Sequence, residues 1–189
     1  MKCNWAITNI NLEKYHDTEW GTPVHEDRLL FEHFVLDSFQ AGLSWSTVLN
    51  KRENFRLAFN NFKIDEVASF NEKKFEELLN NQGIIRNRMK IEAAVNNARL
   101  VLELQKEFGS FDHYIWQLVN YQTIQNYWST LKDIPATSME SDKMSADLKK
   151  RGFKFAGSTI CYAFMQAIGM VNDHLVSCFR HIELLPKNL

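Results

Sequence analysis

The 189-residue chain is predicted to be all-α, and three observations lead there. Only three Pro and seven Gly interrupt it. Apolar residues recur at helical spacing, and no segment sustains the apolar–polar alternation of a half-buried strand. One domain over residues 1–189 is the expectation at this length, with two closely packed helical lobes as its variant. No run of about 18 apolar residues marks a membrane span.

The elements follow in order. Leu30, Phe31, Phe34, Val35 and Leu36 form an amphipathic stretch after a turn at Gly21-Thr22-Pro23. Trp45, Val48, Leu49, Phe55 and Phe59 form a second, beyond the small-residue corner Ala41-Gly42. A short helix is expected from Asp65 and another from Asn71, with Phe75, Leu78 and Leu79 on one face. Asn80 to Ile85 turns, the hairpin falling near residues 78–91. A long helix then runs from about Asn87 to Glu107 and is closed by Gly109. Ser110 is placed to cap the next helix, which carries Tyr114, Ile115, Leu118 and Val119. Asn120 to Thr137 reads as irregular. Ser138 or Ser141 opens a helix ending at Gly152, and a last apolar helix runs from about Ala156 to Ile168, ending at Gly169. There are no repeats and no low-complexity linker.

A net charge of −1 means that any nucleic-acid contact must rest on local basic patches. Three are present: Arg86, Arg88 and Lys90; Lys149 to Lys154; and Lys51-Arg52. The first follows Asn81-Gln82-Gly83-Ile84-Ile85, a turn that can offer backbone N–H groups at a helix start to a phosphate without reading a base. On local sequence alone, an ordinary helix–helix turn with a solvated basic flank is the stronger reading.

Two half-sites stand at the ends of the chain, Cys3…His16 and His174-x3-Cys178. Together they supply the Cys2His2 set that zinc prefers, and a site drawn from both ends would staple the termini together. The competing reading is that these residues lie apart in the fold. His181 is a possible substitute ligand, with His174 preferred; His25, His33 and His113 are read as ordinary surface or core residues. Cys161 lies in an apolar run and reads as a small core residue. There is no H-E-x-x-H, and no H-x-E paired with P-C-x-x-C. Four protein ligands leave no open position, so such a zinc would be structural. Three cysteines without a secretory leader point to the cytoplasm.

Asp37 is the carboxylate of most interest. It sits near the end of an apolar helix, eight residues before Trp45. It serves either as a hydrogen bonder for the Ala41-Gly42 corner or as an acceptor lining a ligand cavity walled by Trp45. Tyr15, Trp5 and Trp20 add aromatic surface from the N-terminal segment. Aromatic faces with a single carboxylate suit a purine-like ligand, because the faces stack while the acid accepts from an exocyclic amine.

The ordered motifs Tyr15-His16-Asp17-x-Glu19-Trp20-Gly21, Gln40-Ala41-Gly42-Leu43-Ser44-Trp45, Lys51-Arg52-Glu53-Asn54, Gly83-Ile84-Ile85-Arg86, Lys149-Lys150-Arg151-Gly152-Phe153-Lys154-Phe155 and Met170-Val171-Asn172-Asp173-His174 cover nearly the whole chain. In them it closely resembles the bacterial 3-methyladenine DNA glycosylase I family. The resemblance implies a helix-hairpin-helix fold and a monofunctional N-glycosyl hydrolase of base-excision repair. Such an enzyme flips 3-methyladenine out of double-stranded DNA and releases it; the sequence itself gives no sign of oligomerisation, so a monomer is the default expectation. It puts Cys3, His16, His174 and Cys178 on a structural Zn2+, and Tyr15, Trp20 and Trp45 in the base pocket with Asp37 as its recognition carboxylate. Gly42 and Leu43 fall on the wedge that fills the vacated stack, and Gly83, Ile84 and Arg86 on the hairpin that grips backbone phosphate. Two positions depart from the pattern: Asp37 stands where the family often has Glu, and Leu12 where some members carry a pocket tyrosine. A shorter acid leaves a second class open, a protein that binds alkylated DNA or free base without cutting. A third is a zinc-stapled helical protein with another partner.

Overall fold

Polar caps set most of the helix boundaries in the computed structural model, which describes residues 1–186. Asn9 opens α1 (Ile10–Thr18), its side chain accepting the Asn11 N–H. There follow α2 (Asp27–Gln40), α3 (Trp45–Leu49), α4 (Arg52–Ala58) and α5 (Ile64–Ala68). Next come α6 (Glu72–Asn80), α7 (Arg88–Phe108) and α8 (Phe111–Trp116). The chain then forms α9 (Met139–Lys150), α10 (Ser158–Ala167) and α11 (Phe179–Glu183). Ser44, Asn71, Asn87, Ser110 and Ser138 each accept a backbone N–H from the first turn they precede. Such a cap contributes about 1 kcal/mol, because it partners an N–H that the helix cannot. Gly109 ends α7 at φ 87°, as the sequence predicts.

The strictly all-α expectation needs one correction. Ile124–Gln125 (β1) pairs in parallel with Val171–Asn172 (β2), in the register Ile124 to Val171 and Gln125 to Asn172. Two residues are too few to show an alternating pattern, so no sequence signal announced them. The pairing carries the 126–136 loop to the segment that contains Asp173 and His174. The expected second amphipathic stretch is also broken in two, with Asn50 and Lys51 between α3 and α4. Helices α1 and α11 were not anticipated; both are short, and neither carries a sustained apolar face, α11 burying His181 while Ile182 is exposed.

Helix α7, about 31 Å long at 1.5 Å per residue, packs on α2, α5, α6 and α8, while α10 packs on α9 and α2. Helix α2 is the centre of the core: every residue from Leu30 to Phe39 is buried. A helix enclosed on all sides has no solvent face to hold charge, so its polar side chains need internal partners. Glu32 has them, its carboxylate meeting Arg52 at 2.6 Å and Arg56 at 2.8 Å. Burial alone would raise this carboxyl, but Arg52 and Arg56 hold it below the usual carboxylate range. Its contribution to stability is therefore present above the unfolded carboxylate range and lost as pH falls through the lowered folded value. Glu32→Gln is expected to destabilise the protein by about 2–3 kcal/mol, because it takes from the buried Arg52 one of its two carboxylate partners and leaves it Glu19. Urea denaturation of the two proteins at neutral pH checks this.

Two glycines bring the N-terminal segment onto α10. At Gly169 (φ +75°), a Cβ would lie 2.5 Å from Pro23 N and 2.7 Å from the Gly21 carbonyl oxygen, so no side chain fits. At Gly21 (φ +78°), a Cβ would meet the His174 ring at 3.1 Å. The Gly21 N–H donates to the Gln166 carbonyl at 2.9 Å, which fixes Trp20 over α10 and His174. Among the described residues, no helix is long and apolar enough to cross a membrane.

Candidate active site and metal centre

The polar residues of α2 separate structure from function. Unlike Glu32, Asp37 is almost fully buried at 2% exposure, and no group of the described residues hydrogen bonds its Oδ2. Burial pushes this carboxyl well above its ordinary value, with Arg52 opposing. An unpartnered buried carboxylate oxygen costs stability, and such groups gather where a ligand completes the site. His33 Nδ1 is unpartnered too, but burial and then Arg52 lower this imidazole to about 3, so it remains a neutral core residue.

Asp37 stands in the wall of a cleft of about 530 Å³ that also receives Trp5, Tyr15, Trp20 and Trp45. The structure therefore brings together all five pocket residues expected from the sequence, and Leu12 lies among them. Tyr15 and Trp45 approach with ring centroids 5.2 Å apart, and Trp5 meets Trp20 edge-on at 5.1 Å. Trp45 is the first residue of α3, aimed by the Ser44 cap. Its indole Nε1 is buried without a partner. A base-sized aromatic slot beside an unsatisfied acid can hold a flat heterocycle that carries N–H donors.

Sequence reasoning missed the α10 side of the cleft. Tyr162 and Gln166, four residues apart on one face of α10, line the cleft, as do Leu131, Ile134 and Pro135. Behind them Asp173 accepts four hydrogen bonds: from Asn126 Nδ2 and Trp128 Nε1 at 2.7 Å each, Tyr162 Oη at 2.8 Å and Gln166 Nε2 at 2.7 Å. The available signal was the i, i+4 placement of two polar residues on an otherwise apolar helix.

Cys3, His16, His174 and Cys178 are buried together, their ligand atoms all within 4.8 Å of one another. The set matches one ion. Bonds of about 2.3 Å to sulfur and 2.05 Å to nitrogen imply tetrahedral edges of about 3.6 Å for S–N pairs and about 3.3 Å for N–N. The observed edges are 3.2 Å for His16 Nε2–His174 Nδ1 and 3.4 Å for Cys178 Sγ–His16 Nε2. Cys178 Sγ and Cys3 Sγ stand 3.7 and 3.8 Å from His174 Nδ1. The second nitrogens are also engaged, as ligating imidazoles require: His16 Nδ1 meets Asp17 at 2.8 Å, and His174 Nε2 meets the Trp20 carbonyl at 2.9 Å. Without a cation, burial first of all and then its neighbours push the Cys3 thiol up to about 12 and His174 down to about 3; a cation at the centre favours the thiolate. His181, the possible substitute, lies outside the cluster, its Nε2 on the Asn126 carbonyl at 2.8 Å. The rings of Trp5 and Trp20 pack edge-on against His16 and His174, so the cluster also buttresses one wall of the cleft.

Beyond the cleft, Gly42 (φ +77°) and Leu43 form an exposed tip just ahead of Ser44 and Trp45. Two lysines tie this corner to the α6–α7 turn. Lys90 Nζ donates to the Phe39 and Ala41 carbonyls, and Lys51 Nζ to those of Gln82 and Gly83. Gly83 packs so closely on Asn54 that a Cβ would sit 3.1 Å away. Two expected basic patches are corrected accordingly. Lys51-Arg52 is not a solvated patch, since Arg52 is buried between Glu19 and Glu32 and Lys51 holds the turn. In the other, Lys90 is buried and Arg88 pairs with Glu72 and Glu92, leaving Arg86 as its exposed cation with no such partner among the described residues. In the third, Lys149, Lys150 and Lys154 are exposed, while Arg151 pairs with Glu107 and Asp147.

The helical scaffold thus encloses an aromatic slot around an unpartnered acid, with an exposed apolar tip at its edge. The methyladenine glycosylase family model matches residues 5–181. The chain is 46% identical over 177 residues to DNA-3-methyladenine glycosylase 1 of Escherichia coli, covering 94% of this chain and 95% of that one. A crystal structure of 3-methyladenine DNA glycosylase I superposes with a TM-score of 0.92 at 46% identity, covering 95% and 98% of the two chains. A variant of 3-methyladenine DNA glycosylase I in complex with 3-methyladenine matches with a TM-score of 0.92 at 31% identity, over 100% of this chain and 99% of that one. The chain belongs to the methyladenine glycosylase family.

Proposed function

We propose that this protein is a base-excision repair glycosylase that hydrolyses the N-glycosidic bond of 3-methyladenine in alkylated duplex DNA. The observation that carries this reading is the unpartnered Asp37 carboxylate, buried beside Tyr15 and Trp45 in a slot of base size. Relatives bearing that activity in their names support it. Residues 1–189 act as a single glycosylase domain, of which 187–189 lie outside the described residues.

Methylation at N3 leaves the adenine cationic, so the base departs neutral and its glycosidic bond is already weak. Such a leaving group needs little help from a general acid. What remains is to extrude the base, seat it and favour the charged purine over a neutral one. Tyr15 and Trp45 offer it aromatic surface to stack on while Trp5 and Trp20 close the slot. Asp37 accepts from its amine and offsets its charge where Oδ2 has no competing partner. Water attacks the anomeric carbon. Leu43, on its exposed corner, fills the gap left in the stack and offsets an unstacking cost of a few kcal/mol. The Gly83-Ile84 turn, held by Asn81, presents Arg86, whose exposed guanidinium holds the DNA backbone. Cys3, His16, His174 and Cys178 would hold a structural Zn2+ that fastens the termini and the Trp5–Trp20 wall.

The experiment is to incubate the protein with methylated duplex DNA and quantify the released bases by chromatography. Release of 3-methyladenine with little 7-methylguanine is expected. Release of neither by a folded protein would favour a non-cleaving binder of alkylated DNA. Leu43→Ala is expected to weaken DNA substrate affinity about tenfold while leaving affinity for free 3-methyladenine unchanged, since the wedge touches only the stack. Filter binding and free-base titration separate the two.

A further inference from the structure

We propose that Asp173 is a specificity-positioning residue: by accepting from Tyr162 and Gln166, it fixes the sense of the Gln166 amide and leaves Gln166 Oε1 and the Tyr162 hydroxyl oxygen as acceptors on the α10 wall of the cleft. The proposal rests on the glycosylase reading above and names the device that sets its base preference.

A carboxylate can only accept, so the Gln166 amide must turn its nitrogen to Asp173 Oδ2, at 2.7 Å. Its Oε1 is then the acceptor end of the amide, and it takes no hydrogen bond from the described residues. Tyr162 is held likewise, its hydroxyl donating to the same oxygen at 2.8 Å. Burial and the Asp173 charge both push this phenol well above its ordinary value, so it keeps the proton it donates and shows the cleft only lone pairs. Trp128 Nε1 and Asn126 Nδ2 occupy Oδ1, which leaves the carboxylate little freedom to rotate. The Trp128 contact also fixes its role, because an indole N–H is a donor in every state.

The consequence is chemical. Adenine carries an amine where guanine carries the O6 carbonyl oxygen. In the lining shared with Asp37, these two free acceptors favour an N–H donor over a carbonyl. A site built to hydrogen bond one group discriminates strongly against an analogue that leaves its polar atoms unmatched. Asp173 touches no base in this scheme; it acts through the side chains it orients.

The test is equilibrium binding of free 3-methyladenine and free 7-methylguanine to the full-length protein, read by tryptophan fluorescence. The expected result for the unaltered protein is a clear preference for 3-methyladenine. Asp173→Asn places an N–H2 against Tyr162 and Gln166, letting the Gln166 amide turn over, and should narrow that preference about tenfold. Gln166→Met and Tyr162→Phe keep shape but remove the acceptors. In the double variant carrying both, Asp173→Asn should cause no further narrowing. An equal loss of affinity for both bases on Asp173→Asn, or the same narrowing in the double-variant background, would overturn the proposal and make Asp173 a loop anchor. Should Asp173→Asn not fold, Gln166→Met decides alone, and an unchanged preference overturns the proposal. If the unaltered protein binds neither base, it is the glycosylase reading that fails.

Discussion

Asp37→Asn is expected to lower the single-turnover release of 3-methyladenine by about 10²–10³-fold and, at the same time, to stabilise the ligand-free protein. The first effect follows from charge. Asp37 is the buried acid of the cleft, its Oδ2 has no internal donor, and a cationic base is what it lacks. Asparagine keeps the shape, removes the negative charge and puts a donor where the amine should bind; losing one preorganised electrostatic contact in a dry site costs roughly that factor. The second effect follows from linkage. Burial raises the folded carboxyl above its unfolded value. As pH rises from the unfolded value toward the folded one, the unfolded chain ionises more readily and stability falls. An amide does not ionise, so at neutral pH Asp37→Asn should raise Tm by roughly a few degrees. Opposite signs for stability and activity mark a functional residue; a variant that lost both would instead mark Asp37 as part of the scaffold. Asp37→Glu, which keeps the charge and adds a methylene, should retain most of the release.

The parts of this molecule that could be read from its sequence are those decided locally or by side-chain chemistry. Asn71, Ser110 and Ser138 cap the helices they announce, because a cap needs only its own first turn. Cys3, His16, His174 and Cys178 could be gathered across the chain because few residue types ligate metal and their number fits one ion. What escaped was long-range pairing of ordinary residues. Arg52 resembles a surface cation until Glu19 and Glu32, 33 and 20 residues away, enclose it. Lys90 looks solvated until Phe39 and Ala41 turn their carbonyls to it. Tyr162 and Gln166 are hidden in an apolar helix, and Asp173 is visible only as the neighbour of a ligand. In each case the partner lies on another element, and only the fold states which one.

Cys178→Ala is expected to lower Tm by about 10 °C, corresponding to a loss of at least ~3 kcal/mol in a chain of this size. The cluster joins α1 to the segment leading into α11, and its satellite core is small: Cys3, Leu175 and Cys178, with Trp5, Trp128 and Ile134 packed against it. Without a bound ion, buried imidazoles and thiols contribute little to holding this end together, whereas binding to the folded set alone converts metal affinity into folding stability. A chelator should therefore reproduce the Tm loss in the unaltered protein and produce little further loss in Cys178→Ala. The rate of release should behave differently. His174 reaches the cleft only through Trp20, whose carbonyl and ring it contacts, and His16 through Trp5. At temperatures well below the new Tm, the slot is held by α2, α3 and α10, and single-turnover release should fall no more than about tenfold. Two readouts thus divide the site. If chelation abolished release from a protein that stayed folded, the four-ligand cluster would have to open a position to the reacting atoms, against a geometry in which every ligand atom is already committed to the others.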